Sequence, residues 1–156
     1  MYFTKMPKKI ASQNPQDLLI GALLRVPAQA VHRRIIEGLN SAGFPELRLP
    51  HIAVFQYPGP DGANPTTLAK RAGISKQAMN QLLGSLEELR YILRTDSPAE
   101  GRSRIVRFTP RGHAAYQKIY DILRQVEKEW THQLGAADFT QLKFLLSRVW
   151  NSTLIQ

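Results

Sequence analysis

Ser75, Lys76, Gln77, Asn80 and Gln81 are the polar residues on one face of a segment whose other face carries Leu82 and Leu86. Asn and Gln present a donor and an acceptor side by side and can pair with the edge of adenine. Lys reaches guanine or a phosphate. If the segment is a helix, its N-terminus also favours a phosphate. A second set follows in Arg94, Arg102, Ser103, Arg104 and Arg107, in or beside a polar turn between two short apolar runs. A cation at the tip of such a turn, Arg102, suits the negative potential of a minor groove. Thr66, at the start of the preceding helix, completes the candidate set. Each of these side chains has two other readings: a phosphate contact without sequence information, or a solvated surface group.

The elements that must position these residues are legible between Pro65 and Gly112. Thr66 to Ala72 reads as a short helix with a Thr cap, broken by Gly73-Ile74. Ser75 caps a second helix that runs to about Arg90, with Met79, Leu82, Leu83, Leu86 and Leu89 on its apolar side. Two helices crossing steeply over a tight turn need a small residue in the first and a turn residue tolerant of positive φ. Ala69 and Gly73 supply them. Tyr91 to Thr95 reads as a strand, Asp96 to Ser103 as a polar turn, and Arg104 to Phe108 as a second strand with alternating pattern. Thr109-Pro110-Arg111-Gly112 opens another helix, which should reach about Leu134, with Tyr116, Ile119, Leu123, Val126 and Trp130 at spacings of three and four. Helix, turn, helix, hairpin and helix is the order of a winged helix-turn-helix, and its hairpin is basic.

The flanks are helical as well. Asn14-Pro15-Gln16-Asp17 has the form of a helix start, and the helix should extend to about Asn40 with a kink at Pro27 and a stop near Gly43. Pro45 to Gln56 reads as a second helix burying Leu49, Ile52, Ala53 and Phe55, before the dense turn chemistry of Pro58 to Gly62. A last helix, Asp138 to Ser152, carries Phe139, Leu142, Leu145, Leu146 and Val149. The expected organisation is a flexible basic arm over 1–13 and one unit over 14–156. Within that unit the winged helix-turn-helix occupies 45–110, and 14–44 and 111–156 form the flanking helices. The fold class is mainly α (α+β). The flanking helices hold more apolar surface than one small winged domain can cover, with Trp130, Phe139, Phe144 and Trp150 among it, so they are assigned to dimerisation.

Composition agrees with a polyanionic partner. The chain of 156 residues carries 21 Lys and Arg against 12 Asp and Glu, a formal net charge of +9. Cysteine is absent, which excludes disulfides, thiol redox sensing and thiolate metal sites. Lys8, Lys9, the apolar run Leu18 to Leu24 and Ala28-Gln29-Ala30 imitate a secretory signal. Asp17 and Arg25 bracket the run and the helical pattern continues through it, so a cytoplasmic chain is expected. No Gly-rich phosphate loop, nucleophile elbow or His-Glu metal motif occurs, so neither an enzyme nor a cofactor is expected. The four His residues, His32, His51, His113 and His132, lack ligand spacing, and no metal site is assigned.

Leu68 to Ser75, Leu82 to Leu93 and Arg102 to Gly112 together resemble the MarR (multiple antibiotic resistance regulator) family, most strongly from about Leu47 to Gly112. The wing tip departs from the family pattern, which usually has an Asp two residues before the key Arg; here Glu100 precedes Arg102. The resemblance implies a triangular homodimer with intertwined terminal helices. It implies a regulator of transcription, most often a repressor, on a roughly palindromic duplex with half-sites about 34 Å apart. It also implies a small phenolic or other anionic effector between the terminal helices and the winged domain, for which His32, Arg33, His51 and Tyr57 are the candidate lining. The competing reading is a winged module that binds protein without reading DNA. The amide-rich face of Gln77, Asn80 and Gln81 argues against it, where an apolar patch would argue for it.

Overall fold

The computed structural model describes residues 15, 18–56, 59–96 and 104–150. Six helices and one hairpin follow in the order α1 (Ile20–Ser41), α2 (Leu49–Ile52), α3 (Pro65–Ala72), α4 (Lys76–Glu88), β1 (Ile92–Asp96), β2 (Arg104–Phe108), α5 (Pro110–Leu134) and α6 (Ala136–Trp150). This is a mainly α winged helix-turn-helix. Among the described residues no helix is long and apolar enough to cross a membrane.

Local chemistry explains most boundaries. Asn64 caps α3 by accepting from the Thr67 N–H at 2.8 Å, so the cap is Asn and not the expected Thr, and Pro65 takes the first helical position. Gly73 ends α3 in the left-handed region at φ 65. Ser75 then caps α4 through the Ala78 N–H at 3.1 Å. Helix α4 stops at Glu88, two residues before the expected end, because Arg90 turns the chain at φ 62, a conformation an L side chain rarely adopts. Thr109 caps α5 by accepting from the Gly112 N–H at 3.0 Å.

Four further expected boundaries are corrected. Helix α1 begins at Ile20 and not at Pro15, since a turn in which the Leu18 N–H donates to Pro15 O precedes it; the helix then passes through Pro27. The helix expected over 45–56 shrinks to the single turn of α2. Arg48 is extended at φ −115 and ψ 162, which bars an earlier start, and Leu49 faces solvent instead of the core. Helix α6 starts at Ala136, two residues early, directly after Gly135. The strand expected from Tyr91 starts one residue later, at Ile92, and Tyr91 is instead a fully buried core residue.

The hairpin pairs Ile92 with Phe108, Arg94 with Val106 and Asp96 with Arg104. Its free edge is backed by the segment before α3: the Gly62 N–H donates to Val106 O, the Val106 N–H to Ala63 O, and the Phe108 N–H to Asp61 Oδ1. These bonds tie the wing base to the helix-turn-helix. The core joins Leu68 and Ala69 of α3, Met79, Leu83 and Leu86 of α4, Ile92 and Val106 of the wing, Leu47 and Phe55 around α2, Ile35 and Leu39 of α1, and Ala115 and Ile119 of α5. Helices α1 and α5 pack closely where Gly38 meets Ile122, and Arg34 spans them with a two-pronged pair to Glu129 at 2.7 and 2.9 Å.

The tightest point lies at the start of α5, where a Cβ on Gly112 would collide with the backbone carbonyl of Tyr91 and press on Phe108. Backbone cannot swing aside as a flexible side chain can. Gly112→Ala is therefore expected to lose about 3 kcal/mol of stability by overpacking. Urea unfolding would measure it, and a midpoint equal to wild type would show that this approach is not tight.

Candidate nucleic-acid interface

The start of α3, the start of α4 and the inner face of the wing converge on one polar concavity of about 310 Å³. Its lining includes Thr66, Lys76, Asn80, Arg94 and Arg104, with Asn64 and Pro65. Five candidate residues separated widely in the chain thus meet in one place. Strand alternation accounts for two of them. Ile92, Arg94 and Asp96 share a face with Phe108, Val106 and Arg104. That face is apolar at the base, where Ile92 and Val106 join the core, and becomes charged toward the tip.

Ser75, Lys76, Gln77 and Gln81 are exposed and Asn80 is half-buried. Ser75 spends its hydroxyl oxygen on the cap, whereas Gln77 and Gln81 stand out from the first two turns of α4. Arg94 is not a loose surface cation. Its Nε and one terminal nitrogen donate to Glu87 Oε2 at 2.9 and 2.7 Å, and its backbone N–H donates to Glu87 Oε1 at 3.2 Å. The hydrogen bonds from Arg94 hold the Glu87 carboxyl below the usual carboxylate range, against partial burial that opposes them. Arg104 reaches Asp96 only at 4.0 Å, with both side chains open to water. Arg107 is exposed on the outer face. Arg102 and Ser103 lie outside the described residues. Glu87 was not among the sequence candidates, because its partner is seven positions away across a turn and no helix or strand spacing signals the pair.

A second, mostly apolar cavity of about 220 Å³ lies between α1, the α2 region and α5. His32 lines it, together with Gln56, Tyr116 and Tyr120 as polar groups and Ile35, Phe55 and Ile119 among the apolar ones. Arg33 is exposed on α1 and His51 is buried; neither is among the lining residues, and Tyr57 lies outside the described residues. Tyr116 of α5 was read in the sequence as core spacing alone, and Tyr120 was not singled out. Their role in the cavity emerges only where α1 and the α2 region close over them.

The model of the MarR family matches residues 57–103, which include α3, α4 and β1 and end just before β2. An HTH-type transcriptional repressor of Mycobacterium bovis is 29% identical over 130 residues, covering 83% of this chain and 87% of that protein. A solved MarR family protein of Mycobacterium tuberculosis, in complex with salicylic acid, is similar at TM-score 0.61 and 26% identity over 85% of this chain and 97% of that one. Over residues 57–103 the chain thus matches the MarR family, and over most of its length it is similar to a MarR family protein. A further solved structure, the transcriptional repressor CouR bound to a 23-mer DNA duplex, shares the fold at TM-score 0.68 and 23% identity over 92% of this chain and 99% of that one.

Beside these elements, His51 joins the α2 region to α4. Its Nδ1 accepts from the Arg48 N–H at 3.1 Å, which leaves Nε2–H to donate to Ser85 Oγ at 3.1 Å. Burial lowers the pKa of His51, and the charge of Arg48 lowers it further. The unfolded chain therefore takes up this proton more readily than the folded one. The contribution of His51 to stability is complete above its ordinary value of 6.5 and is lost as pH falls below it. Urea unfolding midpoints should drop between about pH 7.5 and pH 5.5, and His51→Gln should flatten that drop. An unchanged slope in the variant would assign the acid sensitivity to other groups.

Proposed function

We propose that this chain is a homodimeric, sequence-specific regulator of transcription, a repressor, that binds double-stranded DNA at a palindromic operator and answers to a small aromatic acid. The observation that carries the reading is the juxtaposition of the amide row of α4 with the cationic concavity beside it. Gln77, Gln81 and Asn80 would meet base edges in the major groove. Thr66, Lys76, Arg94 and Arg104 would meet phosphates, and Ser75 would hold the helix start that approaches them. Arg102 and Ser103 are assigned to the wing tip from their place in the sequence. The repressor relative and the duplex-bound protein of the same fold support the assignment. Such a regulator works in the cytoplasm, where its DNA is.

The dimer is supported by what a single copy leaves uncovered. Leu19 is 85% exposed, Phe144 55% and Trp150 69%, and Leu23, Leu24, Leu145, Leu146 and Val149 are open as well. These lie at the N-cap and N-terminal half of α1 and on α6, as a two-fold interface built from terminal helices requires. The winged unit over 45–110 would then face DNA, and 14–44 with 111–156 would hold the two copies together.

The effector reading rests on the apolar cavity, whose size and few polar groups suit one aromatic ring with a hydrogen-bonding substituent. The salicylic acid complex of the mycobacterial relative points to the same class.

Selection from a random duplex pool at two salt concentrations tests the DNA reading. An enriched inverted repeat with half-sites about one helical turn apart is expected. Gln77→Ala should relax the preference at one base position by about 1–3 kcal/mol. Binding without enrichment would favour a winged protein-interaction module instead. For the effector, salicylate is expected to raise the thermal midpoint of the wild type but not of Val31→Trp, whose indole would fill the cavity while its unliganded midpoint stays near wild type. An equal rise in both would place the ligand elsewhere.

A further inference from the structure

Arg94 and Glu87 make a unit whose geometry asks for a third party. A guanidinium has five N–H donors, arranged as a side edge and an end edge. Glu87 occupies the side edge, using the Nε–H and one N–H of the terminal nitrogen on that side. It also accepts the backbone N–H of the same residue, so the carboxylate grips Arg94 at both ends of its side chain. Three N–H groups remain, two of them forming the end edge, and Arg94 lines the concavity that Lys76, Arg104 and Thr66 share with it. Three cations from three elements meet there, and no carboxylate is among the lining residues. Among the described residues, the carboxylates paired with these arginines are Asp96, exposed and 4.0 Å from Arg104, and Glu87, which already holds Arg94.

We infer that the concavity is a seat for one backbone phosphate of the duplex, and that Glu87 is a positioning residue that presents the end edge of Arg94 to it. The inference rests on the DNA-binding reading above and deepens it. A phosphate offers two oxygens in the plane that an Arg end edge recognises bidentately, with Lys76 and Arg104 adding charge on either side. The half-buried stem of Arg94 and its two-ended grip remove most of the side-chain freedom that a surface arginine would lose on binding. Glu87 thereby has an effect opposite in sign to its charge. A carboxylate near DNA ordinarily weakens binding by repulsion; here its removal should also weaken binding, because the arginine it holds would be released.

Four variants decide this on a 30-base-pair duplex of random sequence, with affinity followed across salt and folding followed by circular dichroism melting. Glu88→Gln is the charge control, since Glu88 is exposed and adjacent but holds no part of Arg94. It should bind as tightly as wild type or tighter. Glu87→Gln adds the same charge and should bind several-fold more weakly than Glu88→Gln. Arg94→Ala should reduce the slope of log affinity against log salt by about 0.9, the loss of one phosphate contact, and Arg94→Lys should keep that slope. If Glu87→Gln binds as tightly as Glu88→Gln, Glu87 only neutralises Arg94 and the positioning role is overturned. If Arg94→Ala keeps the wild-type slope, the phosphate seat is overturned while DNA binding stands. Failure of the wild type to bind the duplex at all would overturn the DNA-binding reading and this inference with it.

Discussion

The fold hangs on the junction between Tyr91 and Gly112. Helix α5 begins so close to the end of α4 that only a hydrogen fits between its third residue and the Tyr91 carbonyl. Thr109 fixes the same spot from the other side: its hydroxyl donates to Arg90 O at 2.6 Å and its N–H to Tyr91 O at 3.1 Å. Tyr91 itself is fully buried, its ring tilted against Phe44 and edge-on to Phe55. Its hydroxyl donates to Glu46, which also accepts from Arg111 at 2.6 Å, and the Arg111 guanidinium lies 4.8 Å over the Tyr91 ring. One side chain thus binds the turn after α4, the loop before α2 and the first turn of α5. Burial raises its pKa, so the phenol stays a neutral donor in this network. The left-handed turn at Arg90 is the strain that this convergence costs, and the surrounding bonds hold it in place.

From that junction the wing and the helix-turn-helix are placed as one body. The hairpin enters from Tyr91 and returns at Thr109, so both of its ends are clamped. Its edge strand is then stitched to the segment before α3 through Gly62 and Ala63. The concavity at the candidate interface is a consequence. Its three walls cannot drift apart without breaking the Val106 bonds or uncovering Val106 itself, which has no solvent exposure. Polar groups that must meet a stiff, charged surface are best carried on such a frame, because little ordering remains to be done on contact.

Much of this was legible in the sequence, and what was missed shares a physical cause. Spacing of Met79, Leu83 and Leu86 found α4, and Thr109-Pro110 found the start of α5, since both signals are local. Ala69 and Gly73 marked the helix-turn-helix for the same reason. Local rules failed where a contact at long range decided the outcome. The apolar run after Pro45 looked helical, yet Arg48 is extended and His51 is bonded to Ser85 of α4, so only one turn forms. Asp61 and Gly62 looked like part of a plain turn and instead, with Ala63, complete the wing. The grip of Glu87 on Arg94 could not be read at all, and of the apolar cavity's lining only His32 was a candidate, because each is assembled from segments whose separation in the chain carries no periodicity.

The proposed function draws on one more consequence of length. Helix α5 has 25 residues, a rod of roughly 37 Å at 1.5 Å per residue, and it runs unbroken from the Gly112 junction to the turn before α6. The winged part closes its own core at one end of this rod. At the other end, α6 buries only Phe139 among its residues and leaves its remaining apolar side chains for the proposed second copy. The apolar cavity lies along the rod between these ends, on Tyr116, Ile119, Tyr120 and Leu123. In the proposed dimer, a ligand wedged there would press α5 away from α1 at a point between a fixed interface and a tight pivot. A tilt of the rod would then appear at the pivot as a displacement of the whole wing and α4, since Gly112 leaves no slack to absorb it.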